Sequence, residues 1–357
     1  MSTNVQTDST VKTTTEFEKN EAENSHEEIK KALKRTARAV AISSDGKPEV
    51  RDIDTIRADT FTKLYSAMSS GTVLTGTLSG CESAKNVITP ELAVQGIVDY
   101  GGVKIIIPAK EMWTKPPEGL SEDASNGDKF KFYTSKVSAM LFAQIDFLIE
   151  SVDKDENIAY ASRASAMAIR RKQNYIRRLH GGTESRMEIA VREKRRIEAR
   201  VVSTSGASVR IEIFGVETRV RAADACWRYT SNLSSVFHPG QHVYVIIKDM
   251  RINKNTGDIE IDASIKEATE NVLLHNIKYY QEGSIQTGTI SGKTVKGYHV
   301  AVGNTYTGID VFCRRVMGQT MPQTGDIVAC KIGRIYDDGK ASGKITRIIK
   351  PVQSISY

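Results

Sequence analysis

The 357-residue chain has only 8 prolines and 4 cysteines, and aromatic residues make up 7% of it. Cys81, Cys226, Cys313 and Cys330 lie far apart. Neither a zinc site nor a disulfide framework is indicated, and reduced, mostly buried thiols are expected. No apolar run approaches the roughly 18 residues of a membrane span. The first residues form neither a basic n-region nor an apolar h-region. These absences point to a cytoplasmic protein without a membrane partner. Catalytic signatures are missing as well: there is no phosphate-binding loop, no His-Glu-x-x-His and no nucleophile elbow. Asp153, Asp155, Glu156, Asp337 and Asp338 fall in expected hairpin turns, where Asp is favoured by local hydrogen bonding. The expectation is a non-enzyme with no catalytic residues, no cofactor and no metal.

What is present is positive charge, unevenly placed. The whole chain carries a formal charge of +7, yet residues 163–200 alone hold 12 bases against 4 acids. Residues 1–30 hold 7 acids and 3 bases. With 39% hydrophobic residues the chain can bury several small cores, and its length allows roughly two to four domains.

Residues 1–60 read as a disordered acidic tail, too poor in apolar side chains near its start to offset the entropy of ordering. Ser25 and Glu28 form a capping box that is compatible with a short basic helix after them. Residues 66–162 read as a divergent barrel, with Val103–Ile107 and Phe147–Ile149 among its strands. Residues 163–194 read as a basic helical linker stopped at Gly181 and Gly182. Two similar units come next, 195–268 and 282–350, each with five short strands, and Gly240 and Gly325 open the fourth strands. Val209, Ile211 and Ile213 alternate with Arg210 and Glu212, which predicts one buried and one wet face. Five such strands are too few for a sandwich but enough to close a small barrel without exposed edges. The fold class expected is mostly β: tandem five-stranded OB-fold barrels joined by a basic helical linker, behind a disordered N-terminus.

At Pro239-Gly240-Gln241-His242-Val243-Tyr244-Val245-Ile246-Ile247-Lys248 and Asn255-Thr256-Gly257-Asp258-Ile259-Glu260-Ile261-Asp262-Ala263-Ser264 the chain resembles the RNA-binding OB repeat of the ribosomal protein S-one family. Thr324-Gly325-Asp326-Ile327-Val328 resembles it more loosely. The family usually carries more repeats. The resemblance implies single-stranded RNA as partner, a role in translation or at the ribosome, and an RNA face on the second and third strands of each barrel.

On those strands the candidate RNA-binding residues are Arg210, Phe214, Arg219 and Arg221 in the middle unit, and Lys293, Tyr298, His299, Tyr306, Phe312, Arg314 and Arg315 in the last. Rings can stack bases and cations can hold phosphates. Tyr298 or His299 matches the family's second-strand aromatic; Phe214 and Trp227 are as readily core residues. Ile105, Ile106 and Ile107 argue against RNA on the first unit. Arg170, Arg171, Lys172, Arg177 and Arg178 recur seven residues apart, a stripe on similar faces of one helix, with no acid between Ala159 and Gly182. Two other classes fit the same features: a scaffold of a phage or mobile element whose barrels dock proteins, and a single-stranded DNA-binding accessory factor.

Overall fold

The computed structural model describes residues 39–42, 48–51, 53–84, 87–121, 123–178, 182–253, 256–304, 308–315 and 321–352. The tail and the helix expected after Ser25 fall outside these residues, apart from the end of the 1–60 span. There β1 (Ala39–Ile42) and β2 (Pro48–Arg51) pair as a hairpin, and α1 (Ile53–Ser70) runs on from it. Phe61, Leu64 and Ala67 recur at helical spacing and are buried, so α1 packs as an amphipathic helix. Thr60 Oγ1 donates to Gly101 O at 3.2 Å and ties α1 to a turn of the first barrel.

That barrel comprises β3 (Leu74–Ser83), β4 (Val94–Tyr100), β5 (Val103–Pro108), β6 (Gln144–Asp153) and β7 (Ile158–Ser162). It closes in the order β3-β4-β5-β7-β6, with β5 and β7 parallel. A short α2 (Pro90–Ala93) precedes β4. The connection between β5 and β6 supplies α3 (Asn126–Ser138), capped by Ser125. Tyr133 and Val137 of α3 enter the core with Phe147, Ile105 and Ile107.

α4 (Arg163–Arg171) and α5 (Arg186–Arg192) lead to the middle barrel. Its strands are β8 (Ile197–Thr204), β9 (Ser208–Ile213), β10 (Val216–Arg221), β11 (His242–Ile252) and β12 (Ile259–Ser264), with α6 (Ala222–Ala225) after β10. They form one sheet in the order β10-β9-β8-β11-β12. The seam between β10 and β12 is bridged by Thr218 Oγ1 donating to Ile261 O at 2.5 Å. α7 (Val272–Asn276) connects to the last barrel: β13 (Ile285–Lys293), β14 (Gly297–Val302), β15 (Ile309–Arg314), β16 (Ile327–Ile335) and β17 (Ala341–Lys350). It closes in the order β13-β14-β15-β17-β16.

First, second, third, fifth, fourth is the strand order of the five-stranded Greek-key OB barrel. The first strand of each barrel carries a register shift, at Leu78/Gly80, Val201/Ser203 and Ile290/Gly292. A bulge there bends the strand so that it can serve both halves of the barrel.

The linker differs from the single helix expected. α4 gives way to a π-helical turn, Lys172–Ile176, and Arg177 is extended, so the helix ends before Gly181. Asn174 Nδ2 donates to the Arg170 carbonyl at 2.8 Å, and the buried Tyr175 hydroxyl donates to Ile213 O at 2.6 Å. The helix unwinds where Tyr175 anchors in the middle barrel. α5 then restarts behind a capping box of Ser185 and Glu188.

Candidate nucleic-acid interface

Part of the basic segment is taken up by packing: of its 12 bases, Arg163 is buried, Arg170, Arg171 and Arg200 are half-buried, and the other eight are exposed. Arg163, fully buried, donates to Glu212 and to Glu217 Oε1 at 2.7 Å, and its Nη1 reaches Met112 O at 2.8 Å. Arg200 spans Asp146 Oδ1 and Glu212 Oε1, both at 2.7 Å, and Arg170 Nε pairs Asp146 Oδ2 at 2.8 Å. Three guanidiniums thus face three carboxylates between the first and middle barrels, as buried charges must be paired. Burial pushes the Asp146 carboxyl up, but Arg200, Thr75 and Arg170 outweigh it and hold it at about 2. His242 adds a bridge across the same joint, with Nδ1 on Glu198 Oε1 at 2.7 Å and Nε2 on Gln144 Oε1 at 2.8 Å.

The expected stripe is therefore corrected. Arg170's acid lies in β6, outside the segment that a local count covers, whereas Arg178's lies in the same segment. Arg170 is ion-paired and Arg171 reaches Thr114 Oγ1 at 3.4 Å. Arg178 pairs Glu188 Oε2 at 2.9 Å; Lys172 and Arg177 are exposed but share no continuous helix face.

The second and third strands of the middle barrel are covered at one end. Glu212 should lie on a wet face, yet it is 2% exposed, because Arg163 at the start of α4 reaches over it and Glu217. Arg210 turns to Glu217 Oε2 at 3.4 Å. Phe214 adopts φ 45° in the β9–β10 turn, half-buried against the middle core, with Arg186 6.0 Å from its ring. Arg219, exposed, donates to Ser208 Oγ at 2.8 Å. Arg221 is exposed with no ion-pair partner among the described residues. In the first barrel Ile105, Ile106 and Ile107 are all buried.

The last barrel keeps a chemically varied face. Tyr298, Val300 and Val302 point into the core from β14, as do Ile309, Val311 and Cys313 from β15. By alternation His299 faces outward opposite its cross-strand partner Phe312, with ring centroids 5.0 Å apart. Of the two residues that could match the family's second-strand aromatic, His299 is the outward one and Tyr298 is core. Burial pushes the His299 imidazole below its ordinary value, so it is neutral at pH 7. Arg314 follows Phe312 on the same face, exposed, and Lys293 and Arg315 are exposed beside it. Tyr306 lies outside the described residues.

Beside Phe312 a groove of about 640 Å³ is lined by Arg314, Tyr336, Asp337, Asp338, Lys340 and Ser342, with Lys340 paired to Asp338 at 2.8 Å. Tyr336 and Lys340 flank the final hairpin turn, whose sequence pattern marks only its acids. Arg228 and Tyr229, from the loop after α6, also reach this barrel. Their signal in the sequence is the run Trp227-Arg228-Tyr229, in which Trp227 is the conspicuous residue. Trp227 itself packs locally, its indole N–H on Thr269 O at 3.3 Å and Lys266 5.4 Å from the ring. Among the described residues no group of three His, Cys, Asp or Glu could hold a metal ion, and no helix is long and apolar enough to cross a membrane.

No protein-family model matches the chain, and no curated protein matches it. Solved structures do align. One is a multidomain protein with nucleic acid binding domains from Streptococcus pneumoniae, at 8% identity, covering 79% of this chain and 75% of that one, with a TM-score of 0.17. Another is drosophila Unr CSD456, at 10% identity over 78% of this chain and 97% of that one, TM-score 0.17. A third is the Ifi202 HINa domain in complex with 20bp dsDNA, at 13% identity over 42% of this chain and 91% of that one, TM-score 0.16. Superpositions at this level assign no ligand to this chain.

Proposed function

We propose that this chain is a non-catalytic, cytoplasmic binder of single-stranded RNA that acts on mRNA or at the ribosome, with the last barrel as its main contact. The observation that carries this is the outward face of β14 and β15, where two rings, His299 and Phe312, adjoin Arg314. The groove beside it adds the ring of Tyr336. Rings that stack bases beside cations that hold phosphates are what an unpaired strand requires, and each stack is worth about 1–3 kcal/mol. Arg221 and Arg219 on the middle barrel supply further positive charge. The motif resemblance to the ribosomal repeat supports RNA as the strand and translation as the setting.

Phe312→Ala should weaken binding of a labelled single strand about 5- to 150-fold, one stack's worth. Arg314→Glu with Arg315→Glu should weaken it at low salt. Unchanged affinity in both variants removes the last barrel from the proposal. Competition between RNA and single-stranded DNA of equal sequence separates an RNA binder from a DNA accessory factor.

One observation favours a second reading, a protein scaffold: Arg163 of α4 already buries Glu212 on the outer side of β9. Partners that persist in a pull-down after nuclease treatment would support it.

A further inference from the structure

The loop between α6 and the short turn at Leu233 leaves the middle barrel and lands on the last one. Tyr229 lies flat on His299, ring centroids 3.7 Å apart and planes 2° from parallel. Its backbone N–H donates to Asp310 Oδ2, and Arg228 Nε lies 3.7 Å from Asp310 Oδ1. Gly292, at the bulge of β13, makes room for it: a Cβ there would collide with the Tyr229 ring. A neutral ring parallel to His299 at stacking distance has the geometry of a nucleobase on that ring.

The seal is shallow. The middle barrel's covered face is closed by Arg163, fully buried on two carboxylates. Here Arg228 is 33% exposed and its ion pair is long. Asp310 Oδ1 is buried without a hydrogen-bond partner, and burial pushes that carboxyl up. Among the described residues Asn232, at the loop's far end, bonds only within its own short turn, accepting from Ser234 N–H on Oδ1 and from Ser235 on its carbonyl.

We propose that Tyr229 is a displaceable latch: it occupies the base-stacking place on His299, and a single strand binds this barrel by competing it off. The proposal rests on the nucleic-acid reading of this face. A latch lowers apparent affinity by the fraction of molecules held closed. Opening it therefore tightens binding without adding any contact.

The test uses the full chain and a labelled oligouridylate of about 12 nucleotides, a length matched to OB-fold site sizes. Tyr229→Ala removes the competing ring, and Gly292→Ala dislodges it while leaving both rings in place. Each should bind about 5- to 100-fold more tightly than the unaltered chain. Tyr229→Phe, which keeps the ring, should match the unaltered chain. Amide exchange of residues 226–232 should accelerate when the oligonucleotide is added. If the unaltered chain binds, and both loosening variants bind equally or more weakly with exchange unchanged, the loop is a fixed joint and the latch is overturned while the nucleic-acid reading stands. If neither the unaltered chain nor either variant binds, the reading of the face fails and the latch falls with it.

Discussion

At the scale of single residues, charge in this chain divides between holding barrels together and facing solvent, and burial decides which. Burial lowers the basicity of Arg163, but the charges of Glu217 and Glu212 outweigh it and raise that basicity. Arg163→Ala leaves two buried carboxylates without their partner and should cost about 3–5 kcal/mol, measured as a lowered urea midpoint. It should leave the last barrel's contacts with a strand untouched. Arg163 and Arg314 are the same residue type in basic surroundings, and no local pattern separates them. The difference lies in Glu212 and Glu217, some fifty positions away, which folding brings under α4. Tyr298 and His299, by contrast, are separable in principle: once Val300 and Val302 are placed inside, period-two alternation puts Tyr298 inside and His299 outside.

At the scale of elements, strands are far more legible than helices. Alternating Val209, Ile211 and Ile213 announce β9, and the Gly240-to-Lys248 run announces β11. α3 is hidden because Pro116, Pro117 and Gly119 mark the stretch as loop, and the sequence carries no signal of the core that Tyr133 and Val137 enter. The break after α4 has a tertiary cause, the reach of Tyr175 into the middle barrel. The joint between β6, α4 and β8 also has a pH dependence. Asp146 is held at about 2, below its ordinary 3.8. A depressed carboxyl contributes stability above its unfolded pKa and loses it as pH falls through the folded one. Urea midpoints should therefore drop as pH falls from about 4 toward about 2, and Asp146→Asn should flatten that part of the profile.

At the scale of the molecule, the barrels are linked in series, each covered by what precedes it. Arg163 of α4 covers one end of the β9–β10 face of the middle barrel, and the Tyr229 loop of the middle barrel caps His299 of the last. The tandem of OB barrels is readable from repeated strand patterns, but this serial covering is not, since it depends on faces that meet only when the barrels pack. Its consequence is that Arg163, Arg170 and Arg200 serve the joint between barrels, while the other cations of residues 163–200 are not drawn into it. In the proposed function the last barrel is the main contact, with Arg221 and Arg219 on the middle one adding charge.

The most direct test is binding of labelled single-stranded RNA, single-stranded DNA and duplex DNA across a salt series. For single strands the slope of log affinity against log salt is about −0.7 per phosphate neutralised. Stacking rings should leave a residual affinity at high salt that Phe312→Ala removes, with RNA bound ahead of duplex DNA. A steep slope shared by all three nucleic acids and indifferent to Phe312→Ala would mean nonspecific charge attraction, and it would contradict a stacking face on the last barrel.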